Sequence, residues 1–212
     1  MTAFQGLYAI TPDWADTPRL VATTEAILRG GCRIVQYRNK ATTPCHRDEQ
    51  AVALRGLTRR YGALLIVNDD IELAQACEAD GAHLGAEDSD LTTARARLGA
   101  DKILGASCYQ SLELARAAAQ AGADYVAFGS FYPSPTKPEA KRADASLIAP
   151  ARIATGLPVC AIGGITLDNA EPLVASGADL LAVISAVYNS PDPERAARAF
   201  CRLYENPIST RT

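Results

Sequence analysis

Two cations and two carboxylates stand where three apolar segments of this chain end. Arg38 and Lys40 follow the segment that begins at Ile34, and they lie on the same side of an extended chain because they are two residues apart. Asp69 ends the next apolar segment, and Asp88 follows the one after it. Arginine and lysine suit phosphate oxygens, and Mg²⁺ prefers one or two carboxylates together with substrate phosphates and water. The pattern therefore predicts a magnesium-diphosphate clamp, with a solvated strand end as the alternative.

The neighbouring carboxylate has a simpler interpretation. Asp70 directly precedes residues 71–79, which have the composition of a helix. Aspartate is a preferred residue at the N-cap of a helix, where its side chain accepts a backbone N–H. We therefore predict that Asp70 caps this helix and that Asp69 is the metal ligand; Glu87 or Asp88 can cap in the same way.

A second anion site, of a different kind, is indicated closer to the C-terminus. Gly163 and Gly164 follow the seventh apolar segment, and Ser185 follows the eighth. Backbone N–H groups that glycines leave accessible, together with a helix beginning near Ser185, hold a phosphate without any cation. Two anion sites of different kinds predict two phosphorylated substrates.

The longest connection with little helical character covers residues 131–138 and contains three prolines. Its hydroxyl groups and Lys137 can close over an anionic ligand, because binding loops are often carried on rigid scaffolds. A proline-stiffened surface loop is the alternative.

Histidine chemistry has little support in this chain, which contains only two histidines. His83 lies inside an apolar segment, so we predict a packed, hydrogen-bonded side chain there and not a catalytic base.

Eight apolar segments must position these residues. They alternate with segments in which apolar residues recur at the spacing of a helix. Continuously apolar runs such as residues 64–67 and 180–184 are typical of parallel strands covered on both faces. Eight units of about 25 residues predict an α/β fold, a closed (β/α)8 TIM barrel, which brings the strand ends to one mouth and places phosphate sites after strands seven and eight. An open doubly wound sheet is the alternative, although no G-x-G-x-x-G follows the first strand. The segments and their endings are residues 7–11, 34–40, 64–70, 82–88, 103–107, 125–129, 158–164 and 180–185.

Short turns connect the predicted helices to the strands that follow. Gly122-Ala123-Asp124 and Gly177-Ala178-Asp179 recur at such positions, and Asp80-Gly81-Ala82 is a related tripeptide. Ser111 and Asp168 are candidate N-caps of the preceding helices.

Bulk properties exclude several classes of protein. The 212 residues suit a single domain, and we expect one TIM-barrel catalytic domain over residues 1–212. A net charge of −3 disfavours nucleic acid as a partner, and the absence of a long apolar run disfavours a membrane. The six cysteines are scattered without a Cys-x-x-Cys pair, so we expect neither zinc nor disulfides and a cytoplasmic location. The oligomeric state stays open and leaves room for a homo-oligomer.

Taken in order, the strand-end motifs resemble those of the thiamine phosphate synthase family over nearly the full chain. The motifs are Tyr8-Ala9-Ile10-Thr11, Gln36-Tyr37-Arg38-Asn39-Lys40, Asn68-Asp69, Gly85-Ala86-Glu87-Asp88, Gly105-Ala106-Ser107, Ser134-Pro135-Thr136-Lys137, Gly163-Gly164-Ile165 and Ile184-Ser185.

The resemblance implies a transferase that joins 4-amino-2-methyl-5-(diphosphooxymethyl)pyrimidine to 4-methyl-5-(2-phosphooxyethyl)thiazole or its carboxylated precursor. The products are thiamine phosphate and pyrophosphate. The implied route is dissociative: pyrophosphate leaves first, the aminopyrimidine stabilises the methylene cation, and the thiazole nitrogen attacks. No protein base is needed, so the shortage of histidine fits.

The resemblance also assigns roles to residues. Gln36, Tyr37, Arg38, Asn39, Lys40, Asn68, Ser107 and Lys137 would bind the pyrimidine diphosphate, with Arg38, Lys40, Ser107 and Lys137 as the catalytic set. Asp69 and Asp88 would bind Mg²⁺, the implied cofactor. Ser134, Pro135, Thr136, Gly164, Ile184 and Ser185 would hold the thiazole phosphate.

The sequence differs from the family pattern at two positions, and two other functions are alternatives. Ala86 stands where the family commonly has Gln, and Ser134 where Thr is frequent, which puts ligand affinity in question more than reaction type. One rival is the thiazole tautomerase-like paralogue, which keeps the thiazole-phosphate pocket but tends to lose the diphosphate and metal residues. The other is a non-catalytic regulator that binds a phosphorylated ligand and needs no metal pair.

Overall fold

Eight parallel strands close into a barrel with helices around it, in a computed structural model that describes residues 4–85, 90–133 and 142–205. The strands are β1 (Gly6–Ile10), β2 (Ile34–Tyr37), β3 (Leu64–Asn68), β4 (Gly81–Leu84), β5 (Ile103–Tyr109), β6 (Tyr125–Phe128), β7 (Val159–Ile162) and β8 (Leu180–Val183). The helices are α1 (Thr17–Arg29), α2 (Pro44–Arg60), α3 (Ile71–Ala76), α4 (Leu91–Leu98), α5 (Leu112–Gln120), α6 (Ile148–Thr155), α7 (Leu167–Ala175), α8 (Ser185–Tyr188) and α9 (Pro193–Arg202). A short 3₁₀ turn, Ala145–Leu147, precedes α6.

Pairing between the first and last strands closes the sheet. Each strand pairs with its neighbour in chain order, and β1 also pairs with β8, with Tyr8 opposite Ala182. The predicted TIM barrel is therefore confirmed, and the open doubly wound sheet is wrong. Among the described residues, no helix is long and apolar enough to cross a membrane.

The two faces of the sheet explain why the strands are continuously apolar. Inward side chains such as Tyr8, Ile66 and Leu180 form one core inside the barrel. Outward side chains such as Leu65 and Leu181 pack against the helices in a second, larger core. Because both faces are buried, polar side chains that point inward near the mouth are exceptions with a function or a hydrogen-bonding partner.

Two of the three predicted helix caps are confirmed. Asp70 accepts a hydrogen bond from the backbone N–H of Leu73 at 2.9 Å, and Ser111 caps α5 in the same way. The prediction for Asp168 is wrong, because Thr166 is the N-cap of α7 and Asn169 completes a capping box with it. Asp168 lies in the first turn, since this Thr-x-x-Asn pair starts the helix two residues earlier than predicted.

The recurring Gly-Ala-Asp turns hold the floor of the barrel together. Asp80, Asp124 and Asp179 each precede a strand, and each carboxylate joins the chain in two ways. Their acceptor oxygens bind the backbone N–H groups of Leu65, Leu104 and Val159 at 2.8, 2.7 and 2.8 Å, and they form ion pairs with Arg55, Arg95 and Arg152 of α2, α4 and α6. At three places on the face opposite the mouth, the aspartate that precedes one strand therefore binds the neighbouring earlier strand and the helix that leads into that earlier strand.

The third copy of this turn begins two residues earlier than the sequence comparison indicated. Ala79 donates its backbone N–H to the carbonyl five residues before it, as Ala123 and Ala178 do. The repeat is therefore Glu78-Ala79-Asp80 and not Asp80-Gly81-Ala82. Glu78 takes the glycine position with φ 55°, where Gly122 has φ 85°.

Glycine at position 78 should therefore be more stabilising than alanine. Both Glu78→Gly and Glu78→Ala lose the ion pair with Arg59, so the pair of variants isolates the backbone. A non-glycine residue in the left-handed region costs about 1–2 kcal/mol, more than the 0.5–1 kcal/mol of backbone entropy that glycine typically loses on folding. We expect Glu78→Gly to unfold at a higher urea concentration than Glu78→Ala. The reverse order would show that the turn is not strained at this position.

Candidate active site at the mouth of the barrel

The carboxyl ends of the strands surround a cavity of about 620 Å³. Its lining includes seven of the predicted substrate-binding residues: Gln36, Arg38, Asn68, Ser107, Gly164, Ile184 and Ser185. A smaller cavity of about 120 Å³ is lined by Tyr37, Asn39, Lys40, Asn68 and Asp69, among others. Since Asn68 lines both cavities, the two adjoin. Asp88, Ser134, Pro135, Thr136, Lys137 and the departure at Ala86 lie outside the described residues.

Lys40 and Asp69 meet in the smaller cavity. The Lys40 Nζ lies 2.9 Å from Asp69 Oδ2, and Asn68 Nδ2 donates to the same oxygen at 2.6 Å. Asp69 adopts a left-handed backbone conformation with φ 61° directly after β3. Aspartate tolerates this region better than most residues, and strained backbone of this kind is concentrated at functional sites.

Arg38 is held at the end of β2 by the loop that follows β1. Its Nη1 lies 2.9 Å from both carboxylate oxygens of Asp13, and the backbone N–H of Lys40 donates to Asp13 at 2.7 Å. Thr11 Oγ1 accepts from the backbone N–H of Arg38 and donates to its carbonyl, each at 2.8 Å. Asp13 and Thr11 therefore position the cationic segment. Sequence reasoning missed both roles, although Thr11 stands at a strand end.

Tyr37 and Asn39 point their side chains away from the large cavity. Tyr37 Oη donates to Gln50 Oε1 at 3.0 Å, and Asn39 Nδ2 donates to the same oxygen and to the carbonyl of Trp14. Both side chains fasten the end of β2 to α2 and to the loop after β1. Both residues nevertheless line the smaller cavity, and their predicted contact with the substrate stays a prediction.

The two adjacent carboxylates at the end of β3 have different surroundings. Asp70 caps α3 and forms an ion pair with Arg47 at 3.2 Å, as expected for a structural residue. Asp69 contacts Lys40 and has no capping role, although both carboxylates line the smaller cavity. Within residues 4–85, 90–133 and 142–205, no three His, Cys, Asp or Glu side chains are grouped to hold a metal ion. Of the two predicted Mg²⁺ ligands, Asp69 and Asp88, Asp69 is the one that lies within the described residues.

His83 is a buried, hydrogen-bonded residue, as predicted. Its Nδ1 lies 2.9 Å from Tyr125 Oη, and its Nε2 lies 2.9 Å from Ser107 Oγ. Burial lowers the pKa of His83 to about 4, against a smaller opposite effect of the Asp69 carboxylate, so the imidazole is neutral near pH 7. The chain of contacts continues, since Tyr125 Oη lies 2.8 Å from Tyr8 Oη, to which Gln36 Nε2 donates at 2.8 Å.

Sequence reasoning missed the two tyrosines of this chain of contacts. Both are inward residues of strands, and burial raises the pKa of each phenol. The signal is Gly105 on β5, where an added Cβ would lie 2.1 Å from the Tyr125 ring. A glycine facing the inside of a barrel indicates a large neighbour that fills the space.

The opposite side of the cavity is formed by the glycines after β7 and by the start of α8. Gly164 has φ 63°, and an added Cβ would lie 2.3 Å from the backbone oxygen of Pro133. Tyr132 also donates its backbone N–H to the carbonyl of Gly163 at 3.0 Å, so the loop after β6 lies directly on the end of β7. Ser185 is the first residue of α8, which confirms the helix predicted there.

The closed barrel and its mouth define a class of protein. Charged and polar side chains from β2, β3, β4 and β5, and from the segments that follow β2, β3 and β8, converge at the carboxyl ends of the strands, which is where TIM-barrel enzymes carry their active sites. The molecule is a TIM-barrel enzyme by this arrangement.

Comparison with known proteins identifies the family within that class. A family model described as thiamine monophosphate synthase matches residues 7–187. Thiamine-phosphate synthases of Methylobacillus flagellatus and Thiobacillus denitrificans are 56% and 57% identical over 200 and 199 residues, 94% of this chain in both cases and 95% and 94% of those proteins. The structure of thiamine phosphate pyrophosphorylase from Pyrococcus furiosus is 35% identical, with a TM-score of 0.86 over 97% of this chain and 98% of that one. This chain belongs to the thiamine monophosphate synthase family.

Proposed function

We propose that this chain is a thiamine-phosphate synthase, a transferase that joins the pyrimidine diphosphate to the thiazole phosphate and releases pyrophosphate. The observation that carries the proposal is the contact between Lys40 and Asp69 beside Arg38, at the ends of β2 and β3. A tautomerase-like paralogue or a regulator that binds one phosphate monoester needs no such charged cluster. Membership of the family supports the same activity.

The diphosphate half-site would lie at the ends of β2 and β3. Arg38 and Lys40, with Lys137, would stabilise the negative charge that develops on the departing diphosphate, which is an electrostatic and positioning role. The ion pairs that these two cations form with Asp13 and Asp69 hold them in place before substrate arrives. Gln36, Asn68 and Ser107 would contact the remainder of this substrate.

Asp69, together with Asp88, would hold Mg²⁺. The smaller cavity fits a hard cation, because its lining includes the carboxylates of Asp69 and Asp70 and the amide side chains of Asn39 and Asn68. When bound, the ion supplies positive charge to the leaving diphosphate. Lys40 already neutralises Asp69 in the free protein, which keeps a carboxylate at the mouth without an unpaired charge.

The thiazole phosphate would lie at the ends of β7 and β8. Gly164, Ile184 and Ser185 line the large cavity there, and Ser134, Pro135 and Thr136 would contribute from the loop that continues beyond Pro133. The backbone contacts between Tyr132 and Gly163 bring the start of that loop to the same place. We also propose that residues 1–212 form one catalytic domain; the cytoplasmic location stays a prediction, and the oligomeric state stays open.

Release of pyrophosphate tests the proposal directly. Purified protein given both substrates should release pyrophosphate when Mg²⁺ is supplied and lose this activity when a chelator removes the metal. Each substrate alone serves as the control. Retained binding of thiazole phosphate with no pyrophosphate would favour the regulator, and interconversion of thiazole isomers without pyrophosphate would favour the tautomerase-like paralogue.

A further inference from the structure

Five side chains form one continuous hydrogen-bond chain beneath the large cavity. In spatial order they are Gln36, Tyr8, Tyr125, His83 and Ser107, joined at 2.8, 2.8, 2.9 and 2.9 Å. Tyr125 is fully buried, whereas the other four side chains line the cavity, although Tyr8 is only 1% exposed. These hydrogen bonds therefore connect two predicted substrate contacts, Gln36 on β2 and Ser107 on β5, through the buried Tyr125.

The direction of this chain follows from counting protons. Gln36 Nε2 donates to the Tyr8 oxygen, so the proton of Tyr8 must go to the oxygen of Tyr125. The proton of Tyr125 then goes to His83 Nδ1, and the neutral ring carries its own proton on Nε2 and donates it to Ser107. The hydroxyl proton of Ser107 is left to point into the cavity.

The opposite arrangement leaves a proton without a partner. If Tyr125 donated to Tyr8, the Tyr8 oxygen would accept twice and its proton would have no acceptor among the described residues. Burying an unpaired hydroxyl proton is unfavourable. Reversing the direction of one bond therefore requires reversing all four, including a half-turn of the Gln36 amide.

We propose that the Tyr8–Tyr125–His83 chain is a specificity-determining device that fixes Gln36 as a hydrogen-bond acceptor and Ser107 as a donor toward the substrate. Its proposed ligand rests on the proposed function: an aminopyrimidine offers an exocyclic amino group to an acceptor and ring nitrogens to a donor. A pyrimidine with an oxo group in place of the amino group offers the opposite polarity at that position. Tyr8, Tyr125 and His83 are positioning residues, since they act through Gln36 and Ser107.

The tautomer of His83 tests the direction without any substrate. The protein has only two histidines, so long-range ¹H–¹⁵N spectra of the free protein separate His83 from His46. We expect His83 with its proton on Nε2, and a growing share of the Nδ1–H form in Tyr125→Phe because Nδ1 loses its donor. A His83 that carries its proton on Nδ1 in the unaltered protein would overturn the assignment.

Kinetics with two substrates test the consequence. Tyr125→Phe should lower kcat/KM for the pyrimidine diphosphate by roughly 10–100-fold, as loss of an outer hydrogen-bonding partner typically does, with KM for the thiazole phosphate unchanged. The ratio of kcat/KM for the amino pyrimidine diphosphate to kcat/KM for the oxo pyrimidine diphosphate should fall in this variant. Tyr204→Phe is the matched control, because it removes a buried hydroxyl that has no partner within the described part of the chain.

The outcomes distinguish a failure of this hydrogen-bond device from a failure of the proposed synthase activity. Equal effects of Tyr125→Phe and Tyr204→Phe, or an unchanged preference between the two pyrimidines, would overturn the device. An unaltered protein that releases no pyrophosphate would refute the proposed function and leave the tautomer result standing. If Tyr125→Phe does not fold, Tyr8→Phe takes away the acceptor of Gln36 Nε2 and leaves Tyr125 to donate to His83 Nδ1, so it should narrow the preference between the two pyrimidines with the His83 tautomer unchanged.

Discussion

Asp69→Asn is expected to lower kcat/KM by about 10²–10³-fold, the usual cost of removing one electrostatic contact to a transition state. The carboxylate lies 2.9 Å from Lys40 at the end of β3 and is the described member of the proposed metal pair. Asparagine tolerates φ 61° as aspartate does, so the variant removes the charge without adding the backbone strain that alanine would bring. Steady-state release of pyrophosphate over a range of Mg²⁺ concentrations measures the loss. Asp69→Ala should be equally impaired and should remain folded by circular dichroism.

The adjacent carboxylate provides the control for this experiment. Asp70→Asn keeps a good N-cap for α3 and loses a partly exposed ion pair with Arg47, so we expect a loss of stability of at most about 1 kcal/mol and nearly full activity. Similar activity losses in Asp69→Asn and Asp70→Asn would show that the division between ligand and cap is wrong. An unfolded Asp69→Ala protein would show that Asp69 is a structural carboxylate.

The sequence predicted the barrel and the place of its chemistry because both follow from local patterns. A continuous apolar run indicates a strand buried on both faces, and its ending indicates the mouth. Seven candidate residues then line one cavity, although they come from segments as far apart as Gln36 and Ser185. The same alternation of a strand separates Gln36, which faces inward, from Tyr37, which packs against α2.

Features that depend on contacts between distant segments could not be predicted in this way. Asp13 holds Arg38 across 25 residues, and Tyr8 meets Tyr125 across 117 residues, so no window of sequence contains either pair. The left-handed backbone of Glu78 could not be predicted either, because glutamate is not typical of that conformation. Only the folded turn shows that Glu78 stands where the other two copies have glycine. Local rules fail where tertiary packing decides the conformation.

Gly164→Ala is expected to raise KM for the thiazole phosphate by about 100-fold, the cost that a misplacement of about 1 Å can have. The added Cβ would lie 2.3 Å from the backbone oxygen of Pro133 and 2.8 Å from the carbonyl carbon of Tyr132. Backbone atoms cannot rotate away as a side chain would, so either the loop after β6 or the loop after β7 must move. Both loops carry residues proposed for this phosphate, whereas the residues proposed for the diphosphate, apart from Lys137, lie at the ends of other strands. KM for the pyrimidine diphosphate should therefore change much less.

Gly156→Ala separates this close contact from the cost of the left-handed backbone. Gly156 ends α6 with φ 69°, close to the 63° of Gly164, but an added Cβ there would meet nothing within 4 Å. Its alanine variant should lose about 1–2 kcal/mol of stability and keep both KM values, while Gly164→Ala should lose about 3 kcal/mol because the overpacking adds to the same backbone cost. Urea unfolding and steady-state kinetics on the two variants make the comparison. Equal losses of stability with unchanged kinetics would mean that the mouth relaxes around the methyl group, and that the contact between the two loops does not shape the phosphate half-site.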